Sequence, residues 1–240
     1  MRVASRVLIL VRDAAGYGAA LADAFRPTPG LTREFAPLEL PLDKYGLHGE
    51  KASGELVNFS DSSGSPQVSF FVLPDYKPPV AACAMNEILA LISSEAPSTQ
   101  PTLIVPFITR SLNYYHGMIQ GAKIGQFATL HGAEIGETTE FTQMLIDGTT
   151  KPPQSLQMHS EPILCLLEMV RVLNIPTVLL VASGGNHQGK SSSDADLEVL
   201  QCVGDHLARH INLEFIKETV LGRRIEKSPV FQEPWRELYR

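Results

Sequence analysis

Most of the strands predicted from this sequence are runs of consecutive apolar residues rather than alternating apolar and polar ones. The strongest runs are Val7 to Val11, Val68 to Leu73, Leu103 to Ile108 and Thr177 to Ala182. Continuous apolar runs are typical of strands that are covered on both faces, as in a parallel sheet. Weaker patterns predict short strands at 35–40, at 56–59 and near 127–130. Pro106 interrupts the third strong run, which predicts that this strand lies at a sheet edge or carries a bulge.

Helices are predicted between these runs, at 14–25, 80–93, 161–173 and 194–210. Asp13 is the candidate N-cap of the first helix. Ser160 followed by Pro162 marks the start of the third helix, and Asn174 marks its end. Because 161–173 is apolar on nearly every side, we expect it to be buried in the core or under a partner. The glycine-rich region 109–153 is expected to consist mostly of loops.

The alternation of strands and helices indicates an α/β fold, with a mostly parallel sheet flanked by helices. No internal repeat and no long linker divides the chain, so a single domain is predicted for residues 1–215. Residues 216–240 have mixed charge and are predicted to form a protruding C-terminal tail.

Composition limits the partners and the compartment. The 240 residues include 20 Lys and Arg against 26 Asp and Glu, so the chain lacks the basic surface that nucleic-acid binding requires. No apolar run approaches the length of a membrane span. Cys83, Cys165 and Cys202 are far apart in apolar segments and are predicted to be buried, reduced thiols. These features indicate a cytoplasmic or nuclear protein with no nucleic-acid or membrane partner.

A glycine-rich segment after the fourth strong run fits the phosphate-binding pattern G-x-x-x-x-G-K-[ST]. Its pattern residues are Gly184, Gly189, Lys190 and Ser191. Such a loop can direct backbone N–H groups and a lysine at phosphates, so a nucleotide-binding enzyme is the alternative function. Against it, the predicted helix cap is Asp194 rather than the Lys-Ser pair, and no later strand could supply a magnesium-binding aspartate. A Gly/Ser loop between strand and helix is the preferred interpretation, and no cofactor is expected.

Cys202, His206 and His210 recur every four residues and therefore share one helix face. Three such residues span two helical turns, a rise of about 11 Å along the helix axis, so they cannot all ligate one ion. We expect no metal site, and interpret the face as a buried thiol beside two partly exposed imidazoles.

The chain ends in Leu238, Tyr239 and Arg240. A hydrophobic residue and a tyrosine directly before a free carboxylate form a compact ligand, with an aromatic anchor for a pocket and a terminal charge for a lysine. These three residues are the predicted partner-binding site.

The order of the strong strands and the block from Glu161 to Val181 resemble the proteasome assembly chaperone 1 family. In that block an apolar helix leads through Ile175 and Pro176 into a buried strand. The C-terminal Leu238-Tyr239-Arg240 is similar to the hydrophobic-Tyr-any motif by which such chaperones enter pockets between neighbouring proteasome α subunits.

The resemblance implies a phosphorylase-like α/β domain and a noncatalytic chaperone. Such a protein would pair with proteasome assembly chaperone 2, bind the α-ring of the core particle and promote correct ring assembly. By the motif, Leu238 would fill an apolar pocket, Tyr239 would pack and hydrogen-bond at its rim, and the carboxylate of Arg240 would meet a lysine.

Overall fold

The structure of the protein is a computed structural model that describes residues 2–95, 100–109, 128–154, 156–183 and 192–222. The strands in these ranges are Arg6–Arg12 (β1), Phe25–Pro27 (β2), Thr32–Pro41 (β3), Lys51–Ser60 (β4), Pro66–Pro74 (β5), Thr102–Thr109 (β6), Thr129–Ile135 (β7), Thr177–Ser183 (β8) and Leu213–Phe215 (β9). The helices are Tyr17–Ala24 (α1), Val80–Glu95 (α2), Glu140–Ile146 (α3), Glu161–Leu173 (α4), Ser192–Ile211 (α5) and Lys217–Gly222 (α6). None of the helices in the described part of the chain combines the length and the apolarity needed to cross a membrane.

One mixed sheet organises the domain. Its seven strands follow the order β3-β4-β5-β1-β6-β8-β7. The four central strands β5, β1, β6 and β8 are parallel, while β3, β4 and β7 join by antiparallel pairing. A separate antiparallel pair joins β2 to β9. The predicted α/β domain with a mostly parallel sheet flanked by helices is thus confirmed.

Both faces of this sheet carry a hydrophobic core, as the continuous apolar runs predict. On β1, Val7 and Ile9 face the core formed with α2 and α4, whereas Leu8 and Leu10 face the core formed with α1 and α5. All four side chains are at most 1% exposed. Burying one such side chain contributes roughly 1.5–3 kcal/mol, so β1 is among the strongest contributors to folding.

The prediction for Pro106 is wrong, because β6 lies inside the sheet between β1 and β8. Its pairing with β8 runs without a shift from Leu103 to Thr109, so there is no bulge either. The ladder between β1 and β6 covers only Arg6–Leu8 and Thr102–Ile104. The two strands separate before Pro106, and the missing N–H of proline therefore interrupts no ladder on that side.

Helix α3 lies in the region that was expected to be mostly loop. Thr139 is its N-cap and forms a capping box with Thr142: Thr139 Oγ1 accepts the Thr142 N–H at 3.1 Å, and Thr142 Oγ1 accepts the Thr139 N–H at 2.8 Å. A capping box usually places Glu or Gln at the second position, so the threonine pair gives a weaker signal in the sequence.

Helix α4 has the predicted bounds, with Ser160 as N-cap and Asn174 in the left-handed conformation at its end, φ 54°. Of its two predicted forms of burial, complete burial in the core is wrong, and burial under a partner stays a prediction. One side packs into the core, but Leu164 and Val172 on the opposite side are 36% and 80% exposed.

The three cysteines are free thiols, as predicted, but they are half-buried rather than buried. Cys83 and Cys165 lie at the margin of the core formed with α2 and α4.

Candidate functional site

The residues predicted to bind partners or phosphate lie outside the described residues. Leu238, Tyr239 and Arg240 belong to 223–240, and Gly184, Gly189, Lys190 and Ser191 belong to 184–191. Their roles stay predictions. The structure does describe the elements to which both segments are attached.

The C-terminal segment continues from a part of the chain that is packed on the domain. The Ile216 N–H donates to the Ala24 carbonyl at 2.9 Å, and the Val220 side chain is 2% exposed. Lys217 Nζ lies 3.6 Å from the Asp205 carboxylate of α5. Residues 217–222 of the predicted tail therefore form a helix held against α1 and α5.

The glycine-rich segment joins the carboxyl end of β8 to α5, which begins at Ser192 rather than at the predicted cap Asp194. Asp13, which directly follows β1, lies at the same edge of the sheet. Its Oδ1 accepts the N–H of Tyr17 at 3.2 Å, and strand β1 is separated from β8 by β6. Asp13 thus serves the start of α1, although the N-cap position itself is Gly16 rather than Asp13.

The divergence of β1 and β6 leaves a crevice at their carboxyl ends, the position where open α/β sheets usually bind ligands. Asp13, Tyr17, Pro106 and Ser160 are among its lining residues, and its volume is about 50 Å³. Burial raises the pKa of Asp13, while backbone N–H groups at the start of α1 oppose that shift. A space of this size holds a water molecule or two rather than a substrate.

The histidine pair on α5 is structural. His206 is 5% exposed and its Nε2 lies 2.7 Å from the Leu145 carbonyl oxygen. His210 Nδ1 lies 2.8 Å from the backbone carbonyl oxygen of His206. The prediction of a buried thiol beside two partly exposed imidazoles is therefore wrong in part. The imidazole of His206 is buried, and the thiol of Cys202 is half-buried. The described residues contain no cluster of His, Cys, Asp and Glu that could hold a metal ion.

A groove of about 350 Å³ lies between α1 and the β3–β4 hairpin. Arg33 donates to the carbonyls of Ala22 at 3.0 Å and Phe25 at 3.3 Å, and its guanidinium lies 4.6 Å from the ring centre of Phe35. Arg33 therefore satisfies carbonyl groups at the C-terminal end of α1, where a cation is also favoured by the helix dipole. The guanidinium of Arg33 therefore holds the β3–β4 hairpin against α1, and we do not interpret it as an anion-binding group.

Helices α2 and α4 pack against each other, and their outward sides together form a surface that no described part of the chain covers. We call it the α2–α4 face. Its exposed residues are Ala82, Asn86 and Ala90 on α2 and Glu161, Leu164, Glu168, Arg171, Val172 and Leu173 on α4.

Sequence reasoning identified α4 but not this face. All three charged residues of α4, Glu161, Glu168 and Arg171, are exposed, whereas Ile163, Leu166 and Val170 face the core. A projection of α4 along its axis, with the charges marking the outward side, is the signal that could have identified it.

Residues 1–240 match the sequence family described as "Domain of unknown function (DUF7894)". The chain belongs to this family. No curated protein matches the sequence of the DUF7894 chain at a significant level.

Several crystal structures share the fold of the DUF7894 chain. A protein with unknown function from Thermoplasma acidophilum has a TM-score of 0.54 and 13% identity, over 98% of this chain and 88% of that one. PbaA of Pyrococcus furiosus, an archaeal homolog of proteasome-assembly chaperone, has a TM-score of 0.52 and 12% identity, over 100% and 89%. PbaB of the same organism, an archaeal proteasome activator, has a TM-score of 0.50 and 11% identity, over 98% and 93%.

Identities this low show a common fold and nothing finer. The DUF7894 chain has an α/β fold that is also found in a homolog of proteasome-assembly chaperone. A specific place in the assembly chaperone 1 family is not shown by these comparisons and stays a prediction.

Proposed function

We propose that this chain is a noncatalytic proteasome assembly chaperone of the chaperone 1 type. It pairs with proteasome assembly chaperone 2, binds the α-ring of the core particle through its C-terminal residues and promotes correct ring assembly. The observation that carries this proposal is the fold shared along the whole chain with PbaA, an archaeal homolog of proteasome-assembly chaperone.

Two further features support the proposal. The chain ends in Leu238-Tyr239-Arg240, the hydrophobic-Tyr-any ending expected of a chaperone that enters α-subunit pockets. The three cysteines are free thiols, as is usual in the reducing cytoplasm and nucleus where we propose that the protein acts. The nucleotide-binding alternative is not carried forward, because no residue of its motif gains support from the fold neighbours.

Binding of purified full-length protein to isolated α-rings tests this function. Tyr239→Ala removes the aromatic anchor and should weaken binding about 30-fold, the effect of losing a side chain worth about 2 kcal/mol at an interface. Deleting Leu238 to Arg240 should abolish binding. Surface plasmon resonance with immobilised α-rings measures both.

Glu237→Ala is the matched control, because it changes a neighbouring tail residue outside the motif. It should bind within about twofold of the unmodified chain, as is usual for interface positions outside an anchor. Equal binding by the truncated and full-length chains would contradict the tail mechanism. The absence of any α-ring binding by the full-length chain would contradict the chaperone function itself.

A further inference from the structure

The outward side of α4 is more apolar than a solvated helix face should be. Leu164, Val172 and Leu173 are 36%, 80% and 54% exposed, and the half-buried Cys165 and Met169 lie between them along the helix. Single exposed apolar residues are common on protein surfaces. Several exposed apolar residues on one helix, opposite the side that packs into the core, are instead typical of a contact surface.

The neighbouring helix offers space for a second helix to approach. Ala82, Asn86 and Ala90 follow one another every fourth residue along the exposed side of α2. Alanine at two of these positions lets a neighbouring helix approach closely beside the ridge that α4 forms, since ridges of one helix pack into the grooves of another. The α2–α4 face thus combines a ridge that carries exposed apolar residues with small side chains next to it.

The charges on the ridge determine which partner fits. Glu168 and Arg171 are three residues apart, about 4.5 Å along the helix axis, and neither forms an ion pair with a described residue. A second α4 running antiparallel would place each Arg171 opposite the Glu168 of the other protomer. A parallel α4 in register would instead place Glu168 against Glu168. The ridge is therefore complementary to an antiparallel copy of itself.

We propose that the α2–α4 face is a dimer interface at which a second copy of this chain docks, with the two α4 helices antiparallel across a two-fold axis. Such an interface is isologous, so one surface serves both protomers. The two Glu168–Arg171 ion pairs fix the register, and Leu164 and Val172 supply the apolar contact. This inference does not depend on the tail or on proteasome binding.

Charge exchange tests this geometry in the full-length chain. Glu168→Arg alone and Arg171→Glu alone each create two like-charge contacts by symmetry, and each should weaken dimerisation at least about tenfold. The double variant Glu168→Arg, Arg171→Glu restores opposite charges and should dimerise within about threefold of the unmodified chain. Sedimentation velocity across a concentration series up to about 100 µM measures the dissociation constants.

Glu34→Arg is the matched control, because Glu34 is also an exposed carboxylate but lies on β3, away from α4. It should not change dimerisation. Far-UV circular dichroism should show native helix content in every variant, since all the substituted side chains are exposed. Deleting Leu238 to Arg240 should leave the dimer intact, which separates this inference from the proposed function.

A chain that is monomeric up to the highest concentration would overturn the proposal. Dimerisation that is insensitive to both single reversals would also overturn it, as would a double variant as weak as the single ones. Pairing only with a different chain of the same fold, with no self-association, would assign the face to another occupant and likewise overturn it.

Discussion

At the scale of single residues, the burial of His206 makes the stability of the domain depend on pH. Nε2 must carry the proton, because the Leu145 carbonyl oxygen that it contacts at 2.7 Å can only accept a hydrogen bond. Burial lowers the pKa of His206, the hydrogen bond to Leu145 opposes that shift, and the nearby His210 and Arg209 lower the pKa further. The folded protein therefore favours the neutral form of this imidazole.

We expect the free energy of unfolding to decrease as the pH falls below the ordinary histidine pKa of 6.5. The folded pKa is the lower one, so the unfolded state binds more protons there. The contribution of neutral His206 to the free energy of unfolding is complete above pH 6.5. It is lost as the pH falls through the lower pKa that His206 has in the folded state. Urea unfolding at a series of pH values measures this effect.

His206→Gln keeps a donor for the Leu145 carbonyl but cannot titrate, so it should flatten this part of the profile. His48→Gln is the control, because the side chain of His48 is 83% exposed. If the two variants retain the same pH dependence as the unmodified chain, another group is responsible.

At the scale of elements, the bounds of helices that depend on local signals could be predicted from the sequence, whereas the neighbours of each strand in the sheet could not. The bounds of α4 follow from Ser160, Pro162 and Asn174, which act within one turn of each helix end. The position of β6 depends instead on which strands lie on either side of it, and Pro106 alone favoured an edge. The candidate tail could be named because its motif is contiguous. The exposed side of α4 was missed, although its three charged residues, Glu161, Glu168 and Arg171, mark that side in the sequence.

The hydrogen bond from the Tyr17 hydroxyl to Asp196 is another contact that no local pattern predicts, since 179 residues separate its partners. It joins the start of α1 to the start of α5, and the two residues are only 4% and 7% exposed. Tyr17→Phe removes this donor from a buried carboxylate. We expect it to lower the free energy of unfolding by about 1–3 kcal/mol, measured by urea denaturation.

Tyr45→Phe is the matched control. The Tyr45 hydroxyl donates to Glu87 at 2.5 Å, but that pair is only partly buried. Because water can replace the lost contact there, the cost should stay below about 1 kcal/mol. Equal effects of the two substitutions would show that burial does not give the α1–α5 contact its strength.

At the scale of the whole molecule, one sheet separates two cores that should nevertheless unfold together. Phe70 and Phe71 are adjacent on β5, are both fully buried and face opposite cores. Strands β1 and β5 contribute side chains to both cores, so neither core persists without the strands of the other. Cooperative unfolding of the described domain follows from this sharing.

Phe70→Ala and Phe71→Ala should each lower the free energy of unfolding by about 3–5 kcal/mol, the usual cost of removing a buried ring. Far-UV circular dichroism and tyrosine fluorescence should give the same midpoint within each variant. Phe35→Ala, whose ring is 63% exposed, should change stability by less than about 1 kcal/mol. Two separate transitions, one for each core, would contradict the shared sheet as the cause of cooperativity.

Both described edges of that sheet are interrupted in ways that hinder the addition of a foreign strand. On one side, edge strand β3 contains Pro37 and Pro41, which lack the N–H that a continuous ladder requires. On the other side, Thr150 donates to the Leu130 carbonyl of β7 and accepts the Gly132 N–H, at 3.1 and 2.9 Å. Within the described residues, both edges of the sheet are therefore poor templates for amyloid-like growth, which should limit aggregation through the sheet.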